Sequence, residues 1–474
     1  MKKILIYNWI PFDEKELKGG GVTIYTRNLI EFLIHQSDME VYFLSSGRAY
    51  NIERKDVYIE AIDNIFAPNC KSFQIVNSPV LASARLSFPY PQDYLYDVKL
   101  KEILESFYKE NEFDIIHYQN LEGLSLGVFE LNKKMPNTRF IYSVHNYYPI
   151  CPQVMLWEND EKNCEHKECG EHCLYCMSTD VFKEKVIMNQ YINYRRQKGL
   201  IIDNQNKMNL DNIVEKYSNK NYLLSLKEEE KEELISNLKL FREKNIESLN
   251  KNFDTILAVS ERVADILRSQ GVNKEKIKVS YIGTKVAENQ LHNMKKTEYS
   301  GTLNICYLGF MRKMKGFFFI IDALENMPDE LAKKISFTFA TKITDENIIR
   351  RIEKLQKKFA FIRVYEGYTH EQLPHILEDI HLGVVPPLWE DNLPQVAIEM
   401  KAYGVAVLSS NLGGAKELTK SEDFVFKAGS IENFIFKIKK IVDNPIILNK
   451  YWVDTAKLVT MKEHMEDLLK IYCV

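Results

Sequence analysis

The chain has 474 residues, too many for one ordinary hydrophobic core, so two domains are expected. Hydrophobic residues make up 45% and charged residues 27%, and the net charge of −3 excludes the global basic field that draws proteins onto nucleic acid. No stretch reaches the roughly 18 apolar residues that span a membrane. The N-terminal MKKILIYNWIPFDEKE has only a short apolar run ending in acidic residues, and it reads as a first buried strand, not a signal peptide.

Taken in order, short apolar runs alternate with helical patterns, the signature of α/β layers with parallel sheets. KILIYNWI predicts a strand, VTIYTRNLIEFLIHQ a helix and EVYFLSS the next strand. FDIIHYQN and TRFIYSVHN predict two more strands, each ending in polar residues. Residues 151–250 break the rhythm and read as an insertion. Their charge-dense stretch LKEEEKEELISNLKLFREKNIESL has Leu234, Leu238 and Phe241 at helical spacing, so an amphipathic helix with a solvated face is expected. DTILAVS, ERVADILRSQ and KIKVSYIG predict strand, helix and strand, with Gly271 as the helix C-cap. Residues 285–302 lack periodicity and suit a linker. A second series then runs LNICYLGF, KISFTFAT, FIRVYEGY, HLGVVPPL and VAVLSSN. Two such series imply two Rossmann-like domains facing a cleft: an N-terminal domain over 1–288 and a C-terminal one over 289–450. The final YWVDTAKLVTMKEHMEDLLKIY predicts one amphipathic helix.

Five of the eight cysteines lie within residues 151–176: Cys151, Cys164, Cys169, Cys173 and Cys176. In a chain with no export signal, clustered cysteines are more often metal ligands than disulfides, and the reducing compartment this implies is the cytoplasm. Cys173-x-x-Cys176 can place two thiolates on one zinc, and Cys151 and Cys164 are favoured to complete a structural tetrahedral site, with Cys169 held in reserve. Lys18-Gly19-Gly20-Gly21 precedes the first helix, where glycines open backbone N–H groups to an anion, although a plain turn satisfies the same spacing. After LNICYLGF, the cations Arg312, Lys313 and Lys315 crowd the C-terminal edge of a parallel strand, where open α/β sheets bind ligands. The cluster suits a diphosphate, and the bland alternative is a solvated loop.

LWEDNLPQVAIEMKAYG places Pro394 in a first helical turn, with Glu390 and Asp391 in the preceding loop. Glu399 lies about one and a half turns into the helix. Helical spacing alone does not aim it at the loop, so a surface glutamate and a site carboxylate both remain open.

In order, these pieces resemble the family 4 glycosyltransferases of the GT-B fold, over most of the chain and most weakly at 177–250. The strongest segment is Asp391 to Glu399 with Met400-Lys401-Ala402-Tyr403-Gly404, which is similar to that family's acidic-x7-Glu signature. Val259-Ser260-Glu261 and Ile282-Gly283-Thr284 resemble further landmarks. The resemblance implies that Asp391 lies near the donor sugar hydroxyls, with Asn392, Leu393 and Pro394 in the same donor-binding segment, and that Glu399 binds the nucleotide ribose. It implies a donor-sugar contact for His145 in VHNYYPIC, a diphosphate-facing loop at Gly20 and Gly21, a diphosphate contact for Lys315 and a place near the base for Tyr368. The family usually has Glu where Asp391 stands, and Arg where Phe310 stands. Arg312 is the cation available to replace that arginine.

The implied activity is transfer of a hexose-type sugar, with retention, from a UDP- or GDP-sugar to a hydroxyl of a glycan or lipid-linked acceptor in surface polysaccharide synthesis. His145, Lys315, Asp391 and Glu399 would serve the reaction, zinc would be architectural, and no catalytic divalent metal is expected. The final helix, 451–474, is expected to return to the N-terminal domain. A cytoplasmic location is implied, with room for peripheral contact at the inner face of a membrane. Two rivals are a non-catalytic sugar-nucleotide-binding partner protein and a zinc-dependent nucleic-acid module. The second is disfavoured by Glu158, Asp160, Glu161, Glu165, Glu168 and Glu171 around the cysteines.

Overall fold

The computed structural model describes residues 1–12, 20–87, 90–176, 180–181, 183–200, 218–219, 226–291, 299, 301–453 and 455–473. The chain divides into two compact units. The first comprises residues 1–159, 165–259 and 264–279, and the second comprises 160–164, 260–263 and 280–474.

Unit 1 is built on eight strands: β1 (Lys2–Tyr7), β2 (Met39–Ala49), β3 (Tyr58–Ile62), β4 (Lys71–Val76), β5 (Ile115–Tyr118), β6 (Arg139–Val144), β7 (Thr255–Ala258) and β8 (Ile277–Val279). Their order across the sheet is β8-β7-β6-β5-β1-β2-β4-β3. All neighbours are parallel except β3 and β4. β1 runs apolar and fully buried from Ile4 to Tyr7, as a strand covered on both faces must. The strand order reverses between β1 and β5, and the chain leaves their C-terminal ends in opposite directions to open a crevice. β3 and β4 carry no strong alternation, and the sequence did not signal them.

The insertion forms a helix over Glu228–Asn252, with Leu234, Leu238 and Phe241 buried and its glutamates outward. Leu234 and Leu238 pack on Cys169, Cys173 and Leu174. The amphipathic spacing therefore marks a real inward stripe. Residues 201–217 and 220–225 of the insertion lie outside the described residues. Gly271, at φ +92°, takes the left-handed conformation that ends the preceding helix.

Unit 2 has six parallel strands: β9 (Leu303–Leu308), β10 (Ile335–Ala340), β11 (Phe361–Tyr365), β12 (Leu382–Val385), β13 (Ala406–Ser410) and β14 (Val425–Phe426). Their order is β11-β10-β9-β12-β13-β14, so its reversal falls between β9 and β12. Two of the unit 2 helices, Glu346–Leu355 and Ile431–Asp443, are capped by a side chain. Asp345 accepts the Asn347 N–H at 2.8 Å, and Ser430 accepts from Asn433 at 3.2 Å.

Two sequence expectations need correction. The polar stretch after residue 284 is not irregular throughout, since Lys285–Leu291 forms a 3₁₀ helix packed on the Gln395–Ala402 helix. Tertiary packing there overrides weak local periodicity. The single helix expected over 451–474 is instead two, Ile447–Val453 and Met461–Cys473. Between them Thr455 bridges Thr419 and Thr460 bridges Thr284, so backbone pairing to distant segments replaces helical bonds. The second helix packs tightly on Gly283, where an added Cβ would stand 2.6 Å from the His464 Cβ.

Candidate functional site

The loops at the C-terminal ends of the unit 2 strands bring together the residues singled out in the sequence. After β9, the chain turns through Arg312, Lys313 and Met314 to Lys315 and Gly316, which starts the helix Phe317–Glu325. After β12, it runs through Trp389 to Asp391 and enters the helix Gln395–Ala402 behind Pro394. Because β9 and β12 are neighbours at the reversal point, the two loops meet. Lys315 Nζ donates to Asp391 Oδ2 at 2.6 Å and lies 5.2 Å from the Trp389 ring centroid. Lys315 is half-buried and Asp391 buried. A lysine ammonium has three donors, so one hydrogen bond to Asp391 leaves capacity for a second anion.

Glycines hold this geometry. Gly316 sits at φ +77°, and a Cβ there would lie 1.9 Å from the Pro386 carbonyl oxygen. At Gly413 (φ +73°) a Cβ would meet the Asp391 carbonyl at 2.2 Å, while the Gly414 N–H bonds that same carbonyl at 2.9 Å. Asn392 and Trp389 are buried, and neither Asn392 Nδ2 nor Trp389 Nε1 has a hydrogen-bond partner among the described residues.

Glu399 is only 6% exposed, which decides against a surface glutamate. The turn after β11 covers it. His370 Nδ1 stands 3.3 Å from Glu399 Oε1, and that contact raises the imidazole pKa above its ordinary value. Burial pushes the Tyr368 hydroxyl up, with the Glu399 charge adding to it. Arg312 is exposed, with its guanidinium 5.8 Å from the ring of Phe310, itself 71% exposed. Glu390 takes a different part. Its carboxylate receives Arg262 Nε at 2.8 Å, Arg262 Nη2 at 2.5 Å and the Gly413 N–H at 2.9 Å, a bidentate tie that shapes the loop around Asp391.

His145 and the glycine pair belong to unit 1. Gly20 and Gly21 are exposed at the start of the helix Gly20–Leu33, Gly20 at φ +58°; Lys18 and Gly19 lie outside the described residues. His145, just past β6, shares a hydrogen bond with Gln119 Oε1 at 3.0 Å and packs on Tyr25 with ring centroids 4.9 Å apart. It lines a cavity of about 210 Å3 at the C-terminal ends of β1, β5 and β6, with Asn8, Gln119, Glu122 and Asn146. Glu122 is buried beneath it. Its Oε2 accepts the Ala84 N–H at 2.5 Å and its Oε1 the Asn146 Nδ2 at 2.9 Å, while burial pushes the carboxyl up to about 7.

In the cysteine segment, the Cys169 and Cys173 thiols hydrogen-bond each other beside Arg242. The contact with Cys169 holds the Cys173 thiol below its ordinary value against burial, and the Gly170 backbone and the Arg242 guanidinium add to it. Cys176 Sγ accepts the Asn159 N–H at 3.4 Å, and the His166 and His172 rings stack at 3.7 Å. Cys151 groups with unit 1 and Cys164 with unit 2. Among the described residues no set of three or more His, Cys, Asp or Glu side chains converges as a metal centre, so no chemistry is derived through a metal.

A family profile described as "Glycosyl transferases group 1" matches residues 288–459, the stretch that carries Lys315, Asp391 and Glu399. The chain carries a glycosyltransferase domain. Solved structures agree on the architecture around it. Sucrose-phosphate synthase from Thermosynechococcus elongatus aligns at a TM-score of 0.55 and 14% identity, over 100% of this chain and 98% of that one. Anabaena Alr3699/HepE, solved with UDP and glucose, aligns at 0.53 and 11% over 100% of both chains. The lipopolysaccharide outer core galactosyltransferase WaaB, in its apo form, aligns at 0.54 and 12%, over 99% and 98%. At such identities the likeness shows the fold, which is GT-B. Comparison with curated protein sequences gives no significant match.

Sequence reasoning overlooked Asn8, Gln119, Glu122 and Asn146 in unit 1 and, within the stretch matched by the profile, His370 in unit 2. The first four stand at or just beyond predicted strand ends, whose polar residues were the available signal. Among the described residues no helix is long and apolar enough to cross a membrane.

Proposed function

We propose that the protein is a retaining glycosyltransferase that moves a sugar from a nucleoside diphosphate sugar to a hydroxyl of a glycan or lipid-linked acceptor. The observation that carries this reading is the Lys315–Asp391 pair at 2.6 Å beside buried Glu399, inside the segment with the glycosyltransferase profile. In the reaction the anomeric C–O bond to the diphosphate breaks, and negative charge grows on the leaving oxygen. Lys315 would stabilise that charge where it develops, with Arg312 as a second cation. Asp391, fixed by its glycine-cradled backbone, would hold the sugar hydroxyls, and Glu399 would accept the ribose hydroxyls, so that the reacting carbon is oriented. The acceptor oxygen attacks the face the diphosphate leaves, and the leaving phosphate takes its proton. His145 would contact the donor sugar and Tyr368 would lie near the base. The UDP complex of the HepE structure favours UDP over GDP as the base to try first.

A panel of UDP-, GDP- and ADP-sugars, offered with and without acceptor, tests this. Turnover that releases nucleoside diphosphate, with the product anomer matching the donor by NMR, is the expected result. Tight nucleotide binding with no turnover, hydrolysis included, would instead establish the non-catalytic binder that exposed Phe310 motivates.

Structural zinc on Cys151, Cys164, Cys173 and Cys176, with Cys169 in reserve, is a separate part of the proposal, supported by the crowding of five cysteines into residues 151–176. Metal analysis of the purified protein should find one zinc per chain, and chelation should lower its unfolding temperature. A metal-free protein of unchanged stability would remove zinc from the account.

A further inference from the structure

We infer that Asn163, in the cysteine-rich insertion, is a positioning residue for the donor sugar: it fixes the loop that carries Asp391. The inference rests on the glycosyltransferase reading and goes beyond it by giving the insertion a part in donor recognition.

The local sequence places Asn163. Asn159 and Asp160 stand at φ +53° and +58°. Asparagine and aspartate take that left-handed conformation more readily than other residues with a side chain, and two in succession reverse a chain tightly. Lys162–Asn163 therefore runs back beside Trp157–Glu158 as a two-stranded hairpin. Residues 160–164 group with unit 2, the unit that holds the donor loop. There Asn163 Oδ1 accepts the Glu390 N–H at 3.2 Å, across 227 residues of sequence.

Three consecutive buried residues of that loop are held by distant partners. Glu390 is held twice, at its N–H by Asn163 and at its carboxylate by Arg262 and the Gly413 N–H. The Asp391 carbonyl takes the Gly414 N–H at 2.9 Å, and the Asn392 carbonyl takes the Ser260 hydroxyl at 2.8 Å. Of these ties, only the one from Asn163 comes from the insertion. Removing its oxygen leaves the Glu390 N–H without that acceptor, and a partly buried N–H shifts to find another. The peptide that moves is the one leading into Asp391. Since Asp391 already gives Oδ2 to Lys315 at 2.6 Å, the angle it presents to a sugar hydroxyl depends on where its main chain stands. Lys315 and Glu399 are carried on other segments, the loop after β9 and the helix Gln395–Ala402, so contacts to the nucleotide survive a shift of the loop.

Calorimetric titration of the full chain tests this without turnover. The probes are UDP against UDP-glucose and UDP-galactose, or GDP against GDP-mannose if the parent prefers guanine. Asn163→Ala should weaken the tightest of these nucleotide sugars by about three- to tenfold, the worth of one ordinary hydrogen bond, while the bare nucleotide moves by less than about twofold. Asn163→Leu, close in size but without an acceptor, should behave as alanine does. Asn163→Asp keeps an accepting oxygen at the same reach and should restore most of the loss. A merely structural role would weaken nucleotide and nucleotide sugar alike, and that result overturns the inference. Parental affinity for the nucleotide sugar in folded Asn163→Ala and Asn163→Leu proteins does the same, as does absence of recovery in a folded Asn163→Asp protein. A parent chain that binds no nucleotide or nucleotide sugar would sink the wider glycosyltransferase reading and this inference with it, whereas a failed split in a parent that binds them sinks this inference alone.

Discussion

Lys315→Ala is expected to lower kcat by roughly 10²–10³-fold, the range found when one preorganised charge-stabilising group is removed from an active site. That corresponds to about 3–4 kcal/mol of transition-state stabilisation. Lys315 Nζ reaches Asp391 Oδ2 at 2.6 Å, so its truncation also leaves a buried carboxylate without its cation. Part of the loss should therefore appear in donor KM, because Asp391 is no longer held in place. Lys315→Arg retains charge but presents a planar fork where a compact ammonium sits, and it should recover activity only in part. Steady-state release of nucleoside diphosphate measures all three proteins. A Lys315→Ala enzyme within threefold of the parent would remove Lys315 from the chemistry.

Gly316→Ala should destabilise the protein by about 3–5 kcal/mol, well above the usual single-substitution effect. Two causes add. Alanine at φ +77° pays the left-handed penalty of about 1–2 kcal/mol. The larger cause is overlap, since the new methyl would lie 1.9 Å from the Pro386 carbonyl oxygen and 2.9 Å from its carbonyl carbon. Those are backbone atoms of the β12 loop and cannot rotate aside. Gly367 provides the control, because its φ is +80° yet nothing lies within 4 Å of a Cβ built there. Gly367→Ala should cost only the conformational part. Denaturant midpoints of the three proteins decide it, and equal losses at the two glycines would mean that Pro386 yields.

The two carboxylates of the LWEDNLPQVAIE segment show how far local sequence reaches. Helical spacing placed Glu399 on the border of an apolar face and could say no more. Its burial comes from the turn at Tyr368 and His370, which follows a different strand. Glu390, one residue out of register with the acidic signature, is tied by its carboxylate to Arg262, 128 residues earlier in the chain. Nothing near Glu390 in sequence announces that partner. Glu122 shows the same limit in unit 1, where a polar strand end was visible but its junction with Ala84 and Asn146 was not.

What the sequence determined by itself was whatever depends on neighbours a few residues apart. Alternation of buried strands and helices produced the α/β class, and Gly271 stopped a helix. Leu234, Leu238 and Phe241 marked an inward stripe, whereas the choice of Asp391 over Glu390 came only through the family resemblance, whose signature sets seven residues between its acidic positions. The tertiary structure decided what depends on strand order. Lys315 and Asp391 lie 76 residues apart and touch because β9 and β12 pair side by side at the reversal of the sheet. The last helix breaks in two because Thr455 and Thr460 find backbone partners far away in the chain. The physical reason is the same in each case. Periodicity records the environment of a residue's own segment, whereas a contact between distant segments depends on how the strands assemble, and no single segment encodes that.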